Sequence, residues 1–99
     1  MIIISHRGNI EGSNPKLENS PSYIDYAVVQ GFDVEIDVWV IDKEIFLGHD
    51  APQYKVDILY LIKHRDRLWM HCKNLEALSF FSKLEFNFFW HQNDKYTIT

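Results

Sequence analysis

A single cysteine, Cys72, stands among the 99 residues, so an internal disulfide is excluded and nothing calls for an oxidising compartment. Basic residues are scarce as well. Ten Lys and Arg face fourteen Asp and Glu, for a net charge of -4, which leaves no basic footprint for nucleic acid or anionic lipid. No apolar run approaches the roughly 20 residues of a membrane span. The start, Met1-Ile2-Ile3-Ile4-Ser5-His6-Arg7, turns polar too soon for a secretion signal. The expectation is a soluble, cytoplasmic protein that forms one domain over 1–99. With 46% hydrophobic and 24% charged residues, the composition is globular. A chain of this length buries roughly 60–70% of its unfolded surface, enough for one modest core.

Strand and helix patterns alternate along the chain. Ile2–Ile4 is β-branched and ends in polar residues, as a buried parallel strand does. Ser20-Pro21 pairs a capping hydroxyl with a proline suited to a first helical turn, and Ile24, Ala27 and Val28 share one face before Gly31. Residues 32–41 alternate as a strand, Lys43-Glu44 forms a turn, and Ile45–Leu47 runs into Gly48-His49-Asp50. Asp57 opens a second helix with Ile58, Leu61 and Ile62 on one face. Residues 68–73 form a third core strand, and Asn74 caps a helix over 75–84 that buries Leu75, Leu78, Phe81 and Leu84. Residues 86–90 give a fourth strand, and 96–99 a short β-prone tail. The clustered aromatics of residues 80–90 read as core. This order predicts an α/β fold of parallel (β/α) units, with polar groups gathered at the strands' carboxyl ends.

Five histidines are many for this length, and each has a plain reading beside a functional one. Glu35 and Asp37 lie two apart in a strand and so share a face. Two inward carboxylates call for a positive group between them, such as a divalent cation; alternatively they form a solvated acidic stripe with Asp33. His6-Arg7 offers a proton carrier and a phosphate-binding guanidinium, yet as a lone dipeptide it reads as surface polarity. His49-Asp50 follows a glycine that allows a sharp turn, or is simply a loop. His71 and Lys73 share a face, and a buried Lys73 is costly without an anionic partner. Cys72 reads as a small buried hydrophobe. His64, in a charged helix end, reads as solvated. His91 at a strand end is a ligand, a proton shuttle or a loop residue.

The order of the motifs adds weight. His6-Arg7-Gly8, Glu18-Asn19-Ser20, Gly31-Phe32-Asp33-Val34-Glu35-Ile36-Asp37-Val38 and His49-Asp50 together resemble the glycerophosphodiester phosphodiesterase family over residues 1 to 75. The resemblance implies a TIM-barrel architecture, of which this chain supplies about half. It also implies hydrolysis of a small glycerophosphodiester-type substrate and one divalent cation. Glu35 and Asp37 become metal ligands, His6 and His49 the acid–base pair, and Arg7 and Lys73 phosphate contacts. Glu18, Asn19, Asp50 and His91 become supporting residues. In that family a neighbouring substrate hydroxyl attacks first, and water then opens the cyclic phosphate. Where the family carries Glu-x-Lys, this chain has His71-Cys72-Lys73. His71 as a ligand shifts preference from Ca²⁺ or Mg²⁺ towards Mn²⁺ or Zn²⁺. The alternative is a non-catalytic relative that binds a phosphorylated ligand or a cation. A full barrel takes about 250 residues. Half of one leaves open sheet edges, so the expectation is either an amino-terminal fragment or a half-barrel completed by the tail or by a second copy, with self-association expected if the half-barrel is the whole protein.

Overall fold

A computed structural model describes residues 3–10, 12, 14, 16–92 and 96–98, with the side chains of 89–92 and 96–98 outside that description. Capping residues start the three described helices. Ser20 caps α1 (Pro21–Val29), its hydroxyl accepting from the Tyr23 N–H, with Pro21 in the first turn. Asp57 caps α2 (Ile58–Lys63) through the Leu59 N–H, and Asn74 caps α3 (Leu75–Ser82) through the Ala77 N–H. A 3₁₀ turn, Arg65–Arg67, follows α2. Among the described residues no helix is long and apolar enough to cross a membrane.

The strands are β1 (Ile4–His6), β2 (Asp33–Ile41), β3 (Glu44–Leu47), β4 (Tyr54–Val56), β5 (Leu68–Cys72), β6 (Asn87–Gln92) and β7 (Tyr96–Ile98). They form one sheet in the order β4-β3-β2-β5-β6-β7, with β1 also on β2. The pairs β1–β2, β2–β5 and β5–β6 are parallel, whereas β2–β3, β3–β4 and β6–β7 are antiparallel.

This mixed sheet with three short helices is a small α+β fold, which corrects the expected parallel half-barrel. The reason is local. Asp42 and Lys43 both take left-handed backbone (φ 51 and 68), a two-residue reversal that sends β3 back against β2 without a helical crossover. The chain then turns once more into β4. The argument for self-association that rested on half a barrel goes with it.

The core is built from one face of β2 and β5 and the inner faces of the helices. Val34, Ile36, Val38, Val40, Leu68, Met70 and Cys72 are fully buried, with Ile24, Ala27, Leu61, Ala77 and Phe81 from the helices. Phe81 stacks edge-on against Phe80 and Phe86. Helix α3 turns Ala77 and Phe81 inward rather than Leu75, which is exposed at the first helical position, or Leu84, which lies past the helix end. Ile62 of α2 and Ile4 of β1, expected inside, are exposed too.

One edge of β2 is shared by two partners. β1 pairs with it as far as Glu35, and β3 takes over at Val38. The backbone groups of Asp37 fall in the gap between them, and the site grows there.

Candidate active site

The gap is closed by side chain and loop. The Asn19 Oδ1 accepts from the Asp37 N–H at 2.8 Å, and the Gly48 N–H donates to the Asp37 carbonyl at 3.1 Å. A backbone pair that a strand would have satisfied is thus satisfied by two loops. Both loops bring polar groups with them.

The first loop leaves β1 through Arg7 and Gly8, both left-handed (φ 58 and 87). The Arg7 N–H donates to the Glu35 carbonyl, and the Arg7 carbonyl accepts from the Asn19 N–H at 3.0 Å. A Cβ on Gly8 would lie 2.9 Å from the Tyr23 ring, so only glycine lets α1 approach this closely. The left-handed turn at Arg7, uncommon for a bulky residue, brings its guanidinium into the site.

Asp37, 1% exposed, is the centre of the site. Its Oδ2 accepts from Asn19 Nδ2 at 3.0 Å and lies 3.1 Å from Arg7 Nε, an ion pair without hydrogen-bond alignment. Its Oδ1 lies 3.0 Å from His71 Nδ1, which faces it across the β2–β5 register. His49 Nδ1 is 3.5 Å from Oδ2. Arg7 spans the site: Nη1 donates to Glu18 Oε1 at 3.1 Å, and Nη2 lies 3.2 Å from His49 Nε2. Asn9 Nδ2 donates to the other Glu18 oxygen at 3.0 Å. Outside this group, His6 Nε2 pairs with Glu35 Oε1 at 3.3 Å, in a more exposed position.

Burial alone pushes the Asp37 carboxyl upward, since it disfavours the charged form. Hydrogen bonds from His71 and Asn19 and the charges of Arg7 and His71 outweigh that and hold it below the usual carboxylate range. The anion at the centre is therefore permanent at neutral pH.

Arg7, Glu18, Asn19, Asp37, His49 and His71, far apart in the chain, are thus joined in one network. The His6–Glu35 pair adjoins it through the Arg7 N–H on the Glu35 carbonyl. Asp50 stands at the rim, almost fully exposed and 3.7 Å from His49 Nε2. Lys73 follows β5, half-buried, with its backbone N–H on the Val38 carbonyl at 2.8 Å, so its chain position escapes the cost of full burial. His91 lies in β6 with its side chain outside the described residues. Cys72 is buried and its thiol is pushed up to about 12, as suits a small core residue. His64 is a correction: it is not solvated but only 10% exposed, bonded at 3.1 Å to Asp25, which also accepts from the Tyr60 hydroxyl at 2.7 Å. Two site-facing residues escaped the sequence reading. One is Asn9; the other is Trp39, which continues the Glu35–Asp37 alternation and could have been found by extending it.

Glu35, Asp37 and His71 do not, in this arrangement, fit a resident cation. Both Asp37 oxygens already meet nitrogen groups, the Glu35 carboxylate turns to His6, and the described residues hold no group of three His, Cys, Asp or Glu set for a metal. No chemical step is assigned to one. The chain matches no family model, no curated protein and no solved structure.

Proposed function

We propose that this chain binds a small phosphodiester beside Arg7 and cleaves it by proton transfer through His6 and His49. The observation that carries the reading is the convergence of His6-Arg7, Glu18-Asn19, Glu35-Asp37 and His49 on and beside one buried carboxylate, from segments up to 43 residues apart in the chain, the span from His6 to His49. Each residue has work suited to its chemistry. The Arg7 guanidinium offsets charge on the phosphoryl oxygens. Asp37, Glu18 and Asn19 hold Arg7 and the loop that carries it.

A hydroxyl on the substrate, neighbouring the phosphate, attacks phosphorus. Its proton passes to one imidazole while the other protonates the leaving alkoxide as that P–O bond breaks. Water then opens the cyclic ester with the two roles reversed. Two carboxylates, Glu18 and Asp37, share the single guanidinium of Arg7, and Glu35 adds a third beside His6, so the site is short of positive charge. Each imidazole that takes a proton removes one unit of that deficit.

The test is release of choline from glycerophosphocholine, run after EDTA treatment and again with added Ca²⁺, Mg²⁺ or Mn²⁺. Turnover is expected in EDTA, with His6→Ala and His49→Ala each lowering kcat by about 10²–10⁴-fold. Absence of turnover under every condition overturns the reading. Turnover only with a cation overturns its metal-free chemistry. A binding-only role is the second reading, supported by the saturation of Asp37 by protein groups, and it predicts phosphodiester binding without product.

A further inference from the structure

His49 is weakly held by other side chains. Its ring is 39% exposed, Nδ1 is without an aligned hydrogen-bond partner among the described residues, and Nε2 meets Arg7 at 3.2 Å and Asp50 at 3.7 Å. Something else must place the ring. The backbone that carries it is clamped on both sides of Gly48 by alternate residues of β2. The Gly48 N–H donates to the Asp37 carbonyl at 3.1 Å, and the Gly48 carbonyl accepts from Trp39 Nε1 at 2.7 Å. That carbonyl belongs to the peptide bond joining Gly48 to His49. Gly48 is itself hemmed in, since a Cβ there would strike the Ala51 carbonyl oxygen and crowd Gln53. The loop then returns through the Gln53 N–H to the Leu47 carbonyl at 2.9 Å.

We infer that Trp39 is a positioning residue for His49: its indole N–H fixes the Gly48–His49 peptide and thereby the orientation of the imidazole between Arg7 and Asp37. A partly buried indole needs an acceptor somewhere, so a hydrogen bond by itself means little. What gives this one a role is its target. It fixes the peptide whose next residue has, among the described residues, one aligned side-chain hydrogen bond, that with Arg7. Arg7 Nη2 can only donate, so it sets His49 Nε2 as the acceptor and leaves the ring proton on Nδ1, towards Asp37. That tautomer depends on the ring staying where the peptide puts it.

The inference rests on the reading of His49 as a proton carrier, but its first readout needs no substrate. Nitrogen-15 NMR of the imidazoles, with His49 assigned through His49→Ala, is expected to give a single Nδ1–H tautomer in the natural protein. Trp39→Phe, which keeps an aromatic ring and removes the donor, is expected to give a tautomer mixture. It is also expected to lower kcat by about 10-fold to 10²-fold, the scale of a misplaced catalytic group, with KM changed less than about threefold. A mere packing role would lower the melting temperature and leave the tautomer alone. An unchanged His49 tautomer in a folded Trp39→Phe overturns the inference. A tautomer shift in a protein that turns over no phosphodiester supports the positioning and defeats the proposed function, so the two failures are distinct. Should Trp39→Phe not fold, indole N–H exchange in the natural protein decides. Slow exchange at Trp39 supports the bond, and exchange as fast as a free indole overturns it.

Discussion

Asp33 and Asp37 stand four residues apart on the same face of β2, both nearly buried, and their neighbourhoods differ in kind. Asp33 accepts from Arg67 Nε at 2.7 Å and Trp69 Nε1 at 3.1 Å, and Arg67 also donates to the Phe32 carbonyl at 2.7 Å. Guanidinium and indole only donate, so the cluster ties down the start of the strand. Asp37 shares one arginine with Glu18 and touches two imidazoles, rings that can either donate or accept a hydrogen bond. A carboxylate in a strand is thus structural or chemical according to what faces it, and the residue type alone does not decide which.

Removing each carboxylate in turn separates the two most directly. Asp37→Ala removes the buried anion that both Arg7 and His71 meet, a loss of about 3–5 kcal/mol by the measure of a broken buried ion pair. Turnover goes with it. Asp33→Ala leaves a partly exposed Arg67 free to reach water and is expected to cost about 1–3 kcal/mol, with turnover kept in the folded fraction. Urea unfolding beside the choline assay checks both. Equal losses of activity from the two variants would erase the distinction.

Acid separates them by a smaller margin. The Asp37 carboxyl ionises more readily in the folded chain than in the unfolded one, so folding favours its charged form. The stability this supplies is complete above the unfolded carboxylate pKa, about 4. It is lost as pH falls through the lower folded value. Melting temperature followed from pH 6 to pH 2.5 is expected to fall steeply at the acid end, and less steeply in Asp37→Asn, which has no charge to lose. A profile of the same steepness in both proteins would place the acid sensitivity elsewhere.

Much of this was legible from local chemistry. Ser20, Asp57 and Asn74 announce their helices because a cap is a short-range hydrogen bond, and Glu35 and Asp37 announce a shared face because strand alternation is fixed. The turn before β3 was legible, though placed one residue late at Lys43-Glu44; its left-handed form, which folds β3 back on β2, was not, since Asp42-Lys43 carries no glycine to mark it. β4 was missed because Tyr54–Val56 is too short to show a period. The facing of His71 and Asp37 depends on β5 lying beside β2 in a particular register, a long-range fact that no window of sequence contains. Asn19 shows the same limit: as part of a triplet it reads only as a supporting residue, and its hold on the Asp37 backbone emerges once β1 stops short and β3 starts late.

The finest test concerns the Asp33 cluster alone. Arg67 makes two contacts from one planar group, Nε to the carboxylate and Nη2 to the Phe32 carbonyl, at different angles. Lysine carries a single ammonium and cannot span both. Arg67→Lys therefore keeps the charge opposite Asp33 but drops one hydrogen bond, for a loss of about 1 kcal/mol in urea unfolding. Because Asp33, Arg67 and Trp69 take no part in the proposed proton transfer, kcat and the acid profile are expected to stay as they were. A change in either would mean that strain at the start of β2 reaches Asp37 along the strand, and that the two carboxylates form one coupled unit rather than two.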